Sequence, residues 1–213
     1  LILITFTVYI CLKGSSALSI NFENFNFSDI PTSIFYYFFV LVVGFLTSIS
    51  SSSISLEGKT INITKSLPVS EKDILNSKIL TCFIIELPFM LFSNLLFFIR
   101  FKVAFFYMVL ILLISILSIF INATIGLIVN LKYPKMNASN DTEIVKQSIS
   151  SVISVFIGMF IIFISIVSAI YLNKYFSLDN ILLINITVLL IIAIISYIIL
   201  IKWGQKEYKQ INA

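Results

Sequence analysis

Residues 57–73 read Glu57-Gly58-Lys59-Thr60-Ile61-Asn62-Ile63-Thr64-Lys65-Ser66-Leu67-Pro68-Val69-Ser70-Glu71-Lys72-Asp73. This charged cassette stands between two apolar runs, 33–54 and 78–99, each long enough to cross a bilayer. That juxtaposition sets the fold class, because a run of about 20 apolar residues can satisfy its own backbone in lipid only as a helix. Further along, the runs at 103–131, 149–172 and 181–202 have the same character, and a shorter one occupies 1–12. The short run has no basic stretch before it and no small-residue cleavage site after it, so it does not read as a signal peptide. It is expected to be the remainder of a helix whose beginning lies outside the chain, which then is a fragment of something longer. The reading is all-α: a polytopic transmembrane helix bundle of about six spans, the first truncated, forming one membrane domain over 1–213.

Composition supports a lipid-facing chain. Of 213 residues, 59% are hydrophobic and 11% charged, too few charges to coat so much apolar surface in water. Histidine is absent, which removes the commonest general base, the Ser-His-Asp triad and any histidine-ligated metal. Cys11 and Cys82 both lie inside apolar runs without CxxC spacing and read as buried structural thiols. The net charge of +4 does not indicate a nucleic-acid partner, since the cations flank spans rather than cluster with aromatics on a polar face. No GxxxxGK(S/T) motif occurs, so the chain is expected to hold no nucleotide of its own and to need no cofactor.

Cation placement orients the bundle. Segments 55–78, 132–148 and 202–213 carry ten of the fourteen Lys and Arg residues and are expected to be cytoplasmic, which makes the chain a multi-pass protein of the cell membrane with its C-terminus in the cytoplasm. Lys13, Arg100, Lys102 and Lys174 fall on the other side, and the Arg100-Phe101-Lys102 turn is the exception to explain. Segment 13–32, rich in Asn and turn residues, is expected to be an external loop.

Two cytoplasmic segments carry helix-start signals. Ser70-Glu71-Lys72-Asp73 precedes Ile74 and Leu75 as a capping box, and its helix should run unbroken into the 78–99 span. Asn140-Asp141-Thr142-Glu143 makes the same pattern before Val145, with a helix expected to continue into 149–172. Acidic first turns suit the positive end of a helix.

Within the spans, Glu86 is the one carboxylate, and Pro88 follows it two residues later. Its burial in lipid is costly, which suits a gate, a substrate contact or a proton relay. A carboxylate hydrogen-bonded to a neighbouring helix would explain it equally. Pro88 should loosen the helix there by removing a backbone donor. Small and polar residues form stripes: Ser115, Ser118, Asn122 and Gly126; Ser151, Ser154, Gly158, Ser165 and Ser168; Gly44, Ser48, Ser51 and Ser55. Close helix packing accounts for the stripes. Lining of a translocation path, with Glu86, Pro88 and Asn122, is the sharper alternative. In the cassette, Ile61, Ile63, Leu67 and Val69 sit among charges, a mixture that suits docking on another surface.

The order Ser53-Ile54-Ser55-Leu56-Glu57-Gly58-Lys59, then Lys65-Ser66-Leu67-Pro68-Val69-Ser70, then Ile74-Leu75 and Lys78, resembles the ABC-2-type exporter permeases. A second block is similar to the same group: Gly126, Pro134-Lys135, Asn140, Glu143 and Val145-Lys146-Gln147-Ser148. The resemblance implies a transport subunit, not an enzyme, working with a separate subunit that binds ATP. It also implies a partner membrane half, either a preceding segment or a second permease copy. Segments 55–78 and 132–148 become the coupling elements, with Glu57, Gly58, Lys59, Lys65, Pro68, Pro134, Lys135, Glu143, Lys146 and Gln147 at the ATPase contact. Leu56 departs from the pattern, where a basic residue is expected. A proton-coupled secondary transporter using Glu86 is the competing class.

Overall fold

The computed structural model describes residues 2–13, 21–22, 25–26, 32–47, 49–135 and 148–211. Its helices are α1 (Ile2–Lys13), α2 (Thr32–Leu46), α3 (Ile61–Ser66), α4 (Glu71–Phe101), α5 (Phe105–Lys132), α6 (Ile149–Leu172), α7 (Leu178–Ile199) and α8 (Gln205–Gln210). 3-10 turns at Ile49–Ser52 and Gly58–Thr60 and a π turn at Leu200–Gly204 link them. A two-residue antiparallel pair, β1 (Asn21–Phe22) with β2 (Phe25–Asn26), lies between α1 and α2. Five stretches among the described residues are long and apolar enough to cross a membrane, and α1 is a shorter apolar helix. The polytopic helical bundle expected from the sequence is the fold observed.

α5 is the axis. Of its apolar window 56% is buried against protein, compared with 28% to 41% in the other four spans. α2, α4, α6 and α7 all pack on α5, while α1 lies against α4. Ile84, Phe156, Phe160, Phe163 and Ile170 point away from the bundle with more than half their surface exposed, the disposition of side chains that meet lipid. Lipid tails are as apolar as these side chains, so helix association must come from close packing and hydrogen bonds instead. The small-residue stripes provide both. A Cβ on Gly44 would collide with the Ser118 hydroxyl, one on Gly126 with the Ser50 hydroxyl, and one on Gly158 would sit 2.9 Å from the Phe45 carbonyl oxygen. The stripes on α5 and α6 are thus the surfaces that seat α2 and the turn after it.

α4 runs 31 residues, about 46 Å at 1.5 Å per residue, well beyond the roughly 30 Å hydrocarbon core. Its start is the one expected: Ser70 is extended, and its hydroxyl accepts from the Asp73 amide at 3.2 Å. Pro88 sits inside this single helix without ending it. Lys102 closes α4 in the left-handed region, at φ 47° and ψ 49°, and reverses the chain into α5. Arg100 explains its place against the cation pattern, because its Nε donates to the Cys11 carbonyl at 2.9 Å and caps the open end of α1.

Two expectations are corrected. The run 33–54 is not one helix, since α2 stops at Leu46 and the chain continues through a 3-10 turn and further turns to Glu57. Hydroxyls compete for the backbone there: Thr47 donates to the Gly44 carbonyl at 3.2 Å, Ser52 to Ile49 at 3.3 Å and Ser53 to Ser50 at 3.0 Å. The second lever does not run continuously into α6 either. Ser148 is extended and its hydroxyl accepts from the Ser151 amide at 3.2 Å, so α6 has its own start. The capping pattern at 140–143 itself lies outside the described residues.

Gly44→Val should destabilise the bundle by about 1–3 kcal/mol, the usual cost of overpacking. Adding Ser118→Gly should recover part of that loss, read as the thermal unfolding midpoint in detergent.

Candidate functional site

Ending α2 early leaves open backbone inside the protein, and asparagines of α5 close it. Asn122 Nδ2 donates to the Gly44 carbonyl at 3.1 Å, and the Asn122 carbonyl accepts from Ser50 Oγ at 3.2 Å. Two turns later Asn130, fully buried, accepts the amides of Ile54 at 2.8 Å and Ser55 at 3.2 Å on Oδ1. Backbone N–H groups can only donate, which fixes the orientation of this amide. Its Nδ2 donates to Ser55 Oγ at 2.7 Å and to Ser150 Oγ at 3.2 Å. The capacity of one side-chain amide, two acceptor and two donor sites, is fully used. Ser55 Oγ also accepts from the Lys135 amide at 3.0 Å. One buried amide therefore ties together the segment leading into the cassette, the end of α5 and the start of α6.

The cassette is held from the other side by charge. Lys78, on the first turns of α4, donates to Glu57 at 2.6 Å and to the Ser53 carbonyl at 3.2 Å. Both members of that ion pair are largely covered, with side chains 11% and 21% exposed. Tyr208, fully buried, directs its hydroxyl at Glu57 from 3.5 Å. Lys65 donates to the carbonyls of Lys209, at 3.1 Å, and of Ile211. Glu71 pairs with Lys209 at 3.2 Å across a more exposed gap, where solvent screens the contact. The covered pair is the stronger tie, because removing one partner leaves the other desolvated.

Local geometry shapes the rest. Gly58 takes φ 48°, a left-handed conformation open to glycine at little cost, and turns the chain into α3. Leu67 is extended before Pro68, as a residue before proline prefers, and this ends α3. The Val69 amide then reaches back to the Leu67 carbonyl at 2.8 Å, a tight turn about Pro68. Of the cassette's apolar residues, Ile61 enters the core, while Ile63, Leu67 and Val69 are exposed by 66%, 52% and 48%, as is Leu56 just before the cassette by 43%.

Glu86 is buried and accepts from Thr47 Oγ1 at 3.0 Å, at the point where α2 ends. Asn122 meets the same stretch through Gly44, so these two residues converge on the α2 break, and Pro88, one half-turn beyond Glu86, is exposed on α4. Among the coupling residues, Glu57 and Lys65 bond within the chain, Gly58 makes the turn, and Pro68 and Pro134 are exposed. Lys59 lies in a 3-10 turn and Lys135 meets Ser55 through its amide. Glu143, Lys146 and Gln147 lie outside the described residues. Asn130, Thr47 and Tyr208 are the residues that sequence reasoning missed. Asn130 continues the stripe of Ser118, Asn122 and Gly126 at four-residue spacing, a signal present in the chain. Thr47 and Tyr208 carry no such signal.

No group of three or more His, Cys, Asp or Glu residues that could hold a metal occurs among the described residues. Compared with known protein families, residues 1–209 match the family described as "Membrane protein of 12 TMs". The chain belongs to that family of polytopic membrane proteins. No curated protein and no solved structure matches it.

Asn130→Leu keeps the branching and heavy-atom count of the side chain but leaves the Ile54 and Ser55 amides without an acceptor, at about 1–3 kcal/mol each. A lower unfolding midpoint is expected, together with faster amide hydrogen exchange at 54–58.

Proposed function

We propose that the chain is the membrane permease component of an ATP-driven exporter, and that the exposed apolar side of the cassette seats a separate subunit that binds ATP. The observation carrying this reading is the pairing of exposure with rigidity. Ile63, Leu67 and Val69 lie outside the helices of spanning length, yet stay uncovered on a segment anchored through Asn130, Lys78 and Lys65. Apolar side chains held that firmly and left uncovered suit a protein interface. Movement imposed on them would pass directly into α4, since α3 and α4 are separated by only the Pro68 turn.

The direction of transport follows the resemblance to ABC-2-type exporters. The cassette and the C-terminus then face the cytoplasm of a cell membrane, as the cation distribution favours. A further membrane half, either a preceding segment or a second copy of the permease, would complete the transporter. Glu57 and Lys65 contribute to coupling by fixing the cassette, since their charged groups already have intramolecular partners.

Ile63→Asp and Leu67→Asp should each cut co-purification of the ATP-binding subunit about tenfold or more, the effect expected from a central apolar contact. Levels in the membrane should stay the same. Unchanged co-purification would remove the docking surface.

A second reading rests on Glu86, a buried carboxylate bonded to Thr47 at the broken span, where α2 and α4 could shift together. If the chain instead couples transport to protons, Glu86→Gln should abolish transport driven by a pH gradient with no ATP-binding subunit present. In the ATP-driven exporter the same variant should keep the subunit bound while lowering substrate-stimulated ATP hydrolysis.

A further inference from the structure

We infer that α8 is a clamp built into the chain: Lys65 and Lys209 close it on the cassette, so that α3 and the last span are displaced together. The use of such a clamp in coupling rests on the proposed function, but its geometry does not. α8 is the end of one helical stretch, Leu178–Gln210, that includes the last span and the π turn, so a hold on α8 is a hold on that span. It touches the cassette at three places. The Lys65 ammonium bonds the carbonyls of Lys209 and Ile211, at the negative end of α8 where a cation belongs. The same ammonium stands 5.6 Å from the centre of the Tyr208 ring. Tyr208 reaches Glu57, and Lys209 reaches Glu71. These contacts span the cassette from the residue before its first turn to the first residue of α4.

The connection on the other side has a different character. α7 passes into α8 through the π turn at Leu200–Gly204, a wide turn that interrupts the regular ladder. A Cβ on Gly204 would lie 3.0 Å from Leu131, so this turn presses against the last residues of α5, one position from Asn130. α8 is therefore continuous with α7 through the π turn and carries a polar lock on the cassette. With the lock closed, tilting α3 pulls α8 and, through the π turn, the last span. With the lock open, the cassette moves and α7 does not follow.

Reciprocity provides the test, since two segments that stabilise one another must each lose protection when the other is released. Hydrogen–deuterium exchange on the full chain in lipid nanodiscs, without any ATP-binding subunit, would read it. Lys65→Met keeps an unbranched apolar stem against Tyr208 and removes only the ammonium. It should speed exchange about tenfold both at 205–211 and at 61–66, the scale of one lost bond to a charged group. Exchange within 105–132 should not change, and Lys65→Arg should restore the wild-type rates. Wild-type rates at 205–211 in Lys65→Met, or equal acceleration in every helix, would overturn the clamp. Because no partner subunit is present, failure of docking at Ile63 and Leu67 cannot imitate that result.

Discussion

The architecture depends on closing the backbone left open where α2 stops. A chain that leaves helical geometry inside a membrane bundle exposes amides and carbonyls that lipid cannot satisfy. The side chains that do so all come from α5 and its neighbours. Asn122 takes the Gly44 carbonyl, Asn130 takes the amides of Ile54 and Ser55, and Ser50 returns a bond to the α5 backbone. This is why α5 is the most buried span. It must lie against the broken segment over several turns, and the glycines at 44 and 126 let the backbones come close enough.

From that constraint follows the stiffness of the cassette. A loop emerging from an intact span would be joined to the bundle only at its ends. Here the segment enters at Ile54 and Ser55 already fixed by a buried amide, is held at Glu57 by Lys78, and at Lys65 by the end of α8. The Ser70 cap then begins α4 with no slack. Several polar groups are spent on internal anchoring, while Ile63, Leu67 and Val69 stay uncovered among exposed polar residues such as Asn62, Ser66 and Lys72. The functional proposal draws on these uncovered apolar side chains held on an anchored segment.

Much of the fold is legible in the order of the amino acids. Run lengths identify the spanning helices, the Ser70 motif locates the start of α4, and the stripe of Ser115, Ser118, Asn122 and Gly126 marks a packing surface. The break in α2 is not legible, because residues 33–54 are continuously apolar or small and hydropathy does not register competition by hydroxyls for the backbone. The same limit applies to Ser148, whose role as a cap depends on the conformation of one residue. Arg100 contradicts the simple charge pattern until its bond to the Cys11 carbonyl gives it a local task.

The class of solvent and the number of apolar stretches long enough to cross a membrane are properties of the amino-acid sequence alone. Both follow from the energy of placing backbone in lipid, which depends on composition summed over about 20 residues. Which polar residues act together is a matter of tertiary packing. Glu57 meets Lys78 and Tyr208, Lys65 meets the end of α8, Glu86 meets Thr47, and Asn130 gathers three segments, across separations of 20 to 151 residues. A hydrogen bond requires its two atoms within about 3 Å. No property of local sequence specifies such a distance between helices; it is set when the glycine and serine stripes allow the spans to close on α5.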